Sequence, residues 1–412
     1  MAPIATAEPA QDVAASAAAK LSQLGLDDPK YRQYSQFEHH DKSYLKSDDG
    51  YKYNDFKPTF PSKDWAALEP HTPARDRGLF ADKEKKALFG AAKEVRNITK
   101  TIGTELVGVK LNSLNDQQRD ELALLIAERG VVFFRDQEDW TIEQQLEFGR
   151  YYGKLHKHAT TGVPARGDLD EVHVVYSHPD DNKSEKVYSG PLSHSTERLW
   201  HSDVTYELNP PSYTSFKLYS SPEAGGDTLW SNQYAAYDRL SYPMRQYLEQ
   251  LSAVHSAVEQ AEGAKKGGNY VRREPIQTTH PLVRVHPVTG WKSLFFNAGF
   301  VRYIVGVPQA ESEWLVAFLT RHVATASDFM VRFKYNENDV AFWDNRVCDH
   351  SAVFEDINVS RRHALRVAAT GEQPISVSQF PHAKSREEEI YRARGYKIQP
   401  SLSAVQAVGY KD

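Results

Sequence analysis

The stretch at residues 199–207, LWHSDVTYE, places a histidine and an aspartate one residue apart behind a tryptophan. In an extended strand, side chains alternate between faces, so His201 and Asp203 are expected to point the same way. An imidazole beside a carboxylate is either a hydrogen-bonded surface pair or part of a metal site. The chain carries two more such pairs, His39–Asp41 in FEHHDKSY and His178–Asp180 in YSHPDDNKS. The first lies in an irregular polar stretch and the second beside a proline in a turn-rich run, so both read as solvated surface groups. Only the pair at 201 and 203 leads into a strand pattern.

Working outward, DVAFWDN at 339–345 reads as a buried strand ending in a turn, and RVCDH then brings His350. A histidine after such a strand can return a third ligand across a sandwich. Two histidines and one carboxylate on one side of an iron leave positions open for oxygen and a chelating cosubstrate, unlike a closed tetrahedral zinc site. Arg362 and Arg366 follow in RRHALRVA. Four apart on a strand, they face the same side about 13 Å from each other. An inward-facing arginine needs an anion, so the two suggest two anionic sites; simple pairing with surface acids is the other reading.

The rest of the chain supplies a scaffold for these residues. YTSFKLYSS, GDTLWSN, LVRVHPVTGWKSLFFN, FMVRFKY, DVAFWDN and HALRVAA are short, rich in β-branched and aromatic residues, and separated by turns. The VTG inside the third marks a hairpin. Before them, TELVGVKL and VVFFRDQ read as strands. NDQQRDELALLIAERG reads as a helix with an Asn115–Gln118 capping box and a stop at Gly130, and TIEQQLEFGRYYGKL as a second helix. Later helices are expected at YDRLSYPMRQYLEQL and at QAESEWLVAFLTRHV, the latter with Trp314, Leu315, Phe318 and Leu319 on one face. The fold class is therefore mainly β with flanking helices, a sandwich or jelly roll. Residues 1–95 form an N-terminal extension, disordered at first and then an irregular aromatic arm. The main domain spans 96–375, with a loop or lid at 159–198. Residues 376–412 form a polar tail whose EEEIYRAR run reads as a solvated helix face.

Composition narrows the class further. The 412 residues are 40% hydrophobic and 25% charged, with a net charge of −5. No basic run broken by aromatics points to nucleic acid, and no apolar stretch approaches the roughly 20 residues needed to span a bilayer. The single cysteine, Cys348, allows no internal disulfide and reads as a packed small hydrophobe. The N-terminus lacks a signal-peptide pattern, and the expected location is the cytoplasm. His156, His255, His280, His286, His322 and His363 read as core or surface histidines.

WHSDVTYELNPP, EAGGDTLW, HPLVRVHPVTG, LFFNAGF, FWDNRVCDH and RRHALR together resemble the taurine dioxygenase family of Fe(II)/2-oxoglutarate-dependent oxygenases. The likeness runs from about residue 100 to 370 and is nearest the fungal sulfonate dioxygenase branch, which also carries a long N-terminal arm. It implies a double-stranded β-helix, or jelly roll, with His201, Asp203 and His350 as iron ligands. It implies that Thr228 and Arg362 bind 2-oxoglutarate, and that His158, Phe300 and Arg366 bind substrate. The implied reaction hydroxylates the carbon next to the sulfonate of taurine or another alkanesulfonate. Sulfite and an aldehyde are released, with succinate and CO2 as coproducts, in sulfur assimilation. The expected cofactors are Fe(2+), 2-oxoglutarate and O2, with ascorbate as a stimulant. The expected partner is a small anion, with no nucleic acid or membrane and with a homo-oligomer left open. Two positions depart from the family pattern. Glu197 stands where some members use an asparagine, and Thr161 lies where a tyrosine is expected, which puts taurine itself in doubt. Rival readings are the same chemistry on a carboxylate, aryloxyacetate, sulfate ester or purine, a jelly-roll binding protein without turnover, and a zinc hydrolase.

Overall fold

A computed structural model describes residues 45, 49–178, 196–325, 327–353 and 360–398. The expected disorder at 1–20, the His39–Asp41 pair, Asp180 and the end of the tail lie outside them.

Ten strands position the site. They are β1 (Glu94–Asn97), β2 (Thr104–Val107), β3 (Val131–Phe134), β4 (His173–Ser177), β5 (Pro211–Ser220), β6 (Thr228–Asn232), β7 (Met330–Phe333), β8 (Val340–Asp344), β9 (Cys348–Ala352) and β10 (Arg362–Thr370). Seven form one sheet in the order β1-β2-β3-β8-β5-β10-β4, and three form a second in the order β7-β6-β9. Only the β2–β3 pair within them is parallel. The fold is mostly β with flanking helices, as the strand pattern predicts, and has the jelly-roll architecture.

The two sheets close over one apolar core. Val131 and Phe133 of β3, Phe216 of β5, Trp230 of β6, Phe333 of β7 and Trp343 of β8 pack together there. Phe133 stacks on Phe333 with ring centroids 3.9 Å apart. Fully burying such a ring contributes about 1.5–3 kcal/mol. Strand β8 is buried at every position, which explains why its sequence shows no polar alternation.

The helix at Asp116–Arg129 carries the expected capping box, with Asn115 and Gln118 bonding reciprocally. It stops at Gly130, whose φ is +76°; a Cβ there would lie 2.7 Å from Cys348 Sγ. Only glycine fits this conformation and this approach. The VTG turn joins the antiparallel pair Val283–Val285 and Lys292–Leu294.

Several expectations need correction. LWHSDVTYE is not a strand: His201 makes a single bridge, and residues 203–206 form a turn. YDRLSYPMRQYLEQL is two helices, Gln233–Asp238 and Tyr242–Leu248, because Ser241 caps the second and a proline occupies its first turn. In the Gln309–Thr325 helix, Leu315, Leu319 and Val323 face the core, whereas Trp314 is 55% exposed. The EEEIYRAR helix is docked: Arg245 pairs with Glu388 at 3.1 Å and Trp291 Nε1 donates to Glu389 at 2.5 Å. Finally, part of the expected 159–198 loop is strand β4, which pairs with β10.

Candidate metal centre and substrate cavity

His201, Asp203 and His350 meet. One ligand atom from each lies within 4.8 Å of the others, the one such group among the described residues. Three local devices bring this about. First, His201 and His350 exchange backbone hydrogen bonds, His201 N–H to His350 O at 3.0 Å and His350 N–H to His201 O at 2.7 Å. Second, Asn345, in the turn between β8 and β9, accepts from the Asp203 backbone N–H at 3.2 Å. Its own amide donates to Ser212 O and Thr214 Oγ1, and Trp343 Nε1 donates to its carbonyl oxygen. Third, Val204 has φ of +36°. A β-branched residue rarely adopts that conformation, so the surrounding contacts hold a strained turn directly after Asp203.

The turn that delivers His350 is itself braced by a buried ionic network. Arg346 donates to both Asp344 oxygens at 2.8 and 2.7 Å, and His286 Nε2 lies 2.9 Å from Asp344. Arg346 also reaches Asp76 at 2.8 Å and Glu372 at 3.1 Å. Burial pushes the Asp344 carboxyl up, but Arg346 and His286 together outweigh it and hold the group ionised.

The donor set suits a divalent metal. His201 Nδ1–H donates to Leu199 O at 2.8 Å, which leaves Nε2 with a free lone pair. Asp203 Oδ2 is buried without a hydrogen-bond partner; an orphaned carboxylate oxygen is costly unless a ligand satisfies it, and His350 Nε2 lies 3.7 Å from the other oxygen of that carboxylate. Burial holds both imidazoles neutral. The Asp203 carboxyl is raised by burial, yet Arg366 and the two histidines bring it below its ordinary value. Two neutral imidazoles and an ionised carboxylate are the protonation states metal binding requires. Cys348 is buried, and burial raises its thiol well above the ordinary value, so it stays protonated.

Thr228 and Arg362 gather at one end of the sandwich. Arg362 Nε donates to Gly226 O at 2.9 Å, two residues before Thr228, and its guanidinium lies over the Phe216 ring at 5.4 Å. Gly226 has φ of +69°, and a Cβ there would meet Pro222 at 2.8 Å and Arg362 Cδ at 3.3 Å. Tyr335, buried beside Arg362, was not legible as part of this end.

Arg366 and His158 border a small cavity of about 20 Å³ that reaches Asp203. Arg366 Nη1 donates to Asp203 Oδ1 at 2.5 Å. His158 is buried, and burial keeps it neutral. Phe300, expected to bind substrate, is not among the residues lining this cavity; its ring is edge-on to Tyr206 at 4.9 Å and clusters with Val204. It therefore supports the turn after Asp203. Glu197 is exposed. His178 stacks on Tyr176 at 6.2 Å, away from the three converging ligands. His156 and His173 also line the cavity, although neither stands in a recognisable motif. His156 Nε2 lies 3.0 Å from the buried Glu207, which Arg273 also holds at 2.6 Å.

The model of the taurine catabolism dioxygenase TauD, TfdA family matches residues 94–368. A relative from Schizosaccharomyces pombe is 44% identical over 325 residues, 79% of this chain and 81% of its own. An alpha-ketoglutarate-dependent sulfonate dioxygenase of Saccharomyces cerevisiae is 40% identical over 336 residues, 80% of each chain. The crystal structure of a taurine dioxygenase from Burkholderia xenovorans superposes with a TM-score of 0.56 at 32% identity, covering 69% of this chain and 93% of that one.

Proposed function

Since the chain belongs to the taurine catabolism dioxygenase TauD, TfdA family, we propose that it is an Fe(II)- and 2-oxoglutarate-dependent dioxygenase that removes sulfite from an alkanesulfonate. The observation that carries this is the convergence of His201, Asp203 and His350 beside the Arg366–His158 cavity. In this reading those three residues hold the iron. Bound there with 2-oxoglutarate, the metal supplies activation of O2 coupled to release of succinate and CO2.

The chain's own residues bind and orient. Arg362 takes the far carboxylate of 2-oxoglutarate, where a planar, doubly donating guanidinium suits a planar acceptor. Thr228 donates its hydroxyl to the same cosubstrate. Arg366 and His158 hold the sulfonate so that the neighbouring C–H bond faces the metal. Phe300 packs on Val204 and Tyr206 and keeps the turn after Asp203 in place. One oxygen atom enters the substrate as a hydroxyl and the other enters succinate. The 1-hydroxysulfonate then breaks its C–S bond, yielding an aldehyde and sulfite for sulfur assimilation. The single, buried Cys348 suits a reducing cytosol. Among the described residues no helix is long and apolar enough to cross a membrane.

A panel of alkanesulfonates with iron, ascorbate, 2-oxoglutarate and O2 tests the proposal, with sulfite and succinate as readouts. Equal amounts of the two from at least one sulfonate are expected. Succinate formed only with a carboxylate or a sulfate ester would replace the substrate assignment. No succinate with any anion would remove the dioxygenase assignment.

A further inference from the structure

His173 sits at the first position of β4, the edge strand of the large sheet. The register of β4 against β10 sets His173 directly opposite Arg366. Residues opposite each other in an antiparallel pair share a face and touch. The contact is made: Arg366 Nη2 hydrogen-bonds His173 Nδ1 while Arg366 Nη1 holds Asp203 Oδ1. An arginine has only donors, so Nδ1 accepts and the ring proton sits on Nε2. Burial, and then the nearby Arg366, keeps this imidazole neutral. The His158 ring lies 5.1 Å away, and all three side chains border the cavity at Asp203.

Without His173, the Arg366 fork has a better option. Guanidinium and carboxylate prefer a two-point contact, and Asp203 Oδ2 is buried and unpartnered. A second donor folded onto Oδ2 would take this unpartnered oxygen, lock the carboxylate in a two-point pair and withdraw Arg366 from the cavity.

Building on the sulfonate reading above, we propose that His173 is a positioning residue of the anion clamp. It accepts from Arg366 Nη2, prevents a two-point Arg366–Asp203 pair, and completes with His158 a three-sided cradle for an XO3 head group, sulfonate or sulfate ester, over a planar carboxylate.

The test uses His173→Leu, His173→Asn and His173→Gln. Asparagine keeps an acceptor near the Nδ1 position; glutamine moves it outward and leucine removes it. Anaerobic binding of an alkanesulfonate, an alkyl sulfate and a carboxylate of equal length to the Fe(II)/2-oxoglutarate protein is measured beside KM and kcat. His173→Leu and His173→Gln are expected to weaken binding of the preferred XO3 anion about tenfold or more, while the KM for 2-oxoglutarate moves less than about twofold. His173→Asn is expected to recover binding to within about threefold of wild type, and the preference for XO3 over carboxylate is expected to fall in His173→Leu. Unchanged anion binding in His173→Leu, or equal loss in His173→Asn and His173→Leu, would overturn the assignment. The sulfonate and sulfate arms separate the two sources of the head group. A wild type that releases no sulfite while binding another XO3 anion through His173 contradicts the proposed substrate and upholds the clamp.

Discussion

His201 and His350, far apart in sequence, are each other's backbone partners, exchanging hydrogen bonds of 3.0 and 2.7 Å. Their rings consequently lie with centroids 4.2 Å apart, tilted by 47°. Pairing the main chains of two candidate ligands makes the site part of the sandwich closure, so metal binding is expected to be linked to folding. Anaerobic Fe(II) at about a hundred times its Kd is expected to stabilise the protein by about 2.7 kcal/mol, seen as a rise in thermal midpoint that chelation reverses. Asp203→Ala should show no such rise. A wild type that melts identically with and without iron would separate the site from metal.

Asn345 is the hub that ties the His-x-Asp turn to the β8–β9 turn. Asn345→Ala leaves the buried Trp343 Nε1 and the Asp203 N–H without an acceptor, at a cost of about 1–3 kcal/mol each at most. Denaturant unfolding should show the loss, and iron affinity should fall about 10–100-fold because the ligand's orientation is no longer fixed. Wild-type iron affinity in this variant would show that Asn345 does not position Asp203.

The sequence carried the parts of this picture that depend on local chemistry. The strands with β-branched and aromatic runs, the capping box at Asn115 and the stop at Gly130 are written in adjacent residues. His350 was legible because DVAFWDN announces a buried strand and its turn. The turn at 203–206 was not, since Val204 adopts its left-handed conformation within tertiary contacts, among them the Asn345 bond to Asp203 N–H and the packing of Val204 on Phe300. His173 was hidden for a related reason. EVHVVYS sits among polar turn residues, and its meaning comes from register against β10. Trp314 misled because its neighbours fit an apolar stripe, while the core takes Leu315, Leu319 and Val323.

Arg362 is expected to govern the cosubstrate alone. Arg362→Ala should raise the KM for 2-oxoglutarate about tenfold to a hundredfold, the equivalent of one or two lost charge-assisted hydrogen bonds. Sulfonate affinity, measured at saturating 2-oxoglutarate, should stay within about threefold. Steady-state kinetics with each substrate varied in turn checks this. Equal weakening of both would assign Arg362 to the scaffold.

Acid should loosen the N-terminal arm. Tyr51 O–H donates to His363 Nδ1 at 3.0 Å, and His363 Nε2–H donates to Phe56 O at 3.0 Å. Burial, opposed by the Phe56 carbonyl, depresses His363 from 6.5 to about 3. A depressed folded-state value means that the contribution to stability is fully present above pH 6.5 and is lost as pH falls through about 3. The loss approaches about 1.4 kcal/mol per pH unit within that window. The stability difference between wild type and His363→Phe, from denaturant melts at pH 7 and at pH 4.5, should shrink on acidification. A constant difference would show that His363 does not titrate with unfolding.

The central claim is that His201, Asp203 and His350 hold one ferrous ion with room for 2-oxoglutarate. Anaerobic titration of the apoprotein with Fe(II) and then 2-oxoglutarate, followed by visible absorption and metal analysis, tests it most directly. One iron per chain and a weak charge-transfer band that appears only after 2-oxoglutarate is added, both absent in Asp203→Ala, is the predicted result. No bound iron, or bound iron with no band at saturating 2-oxoglutarate, would contradict it.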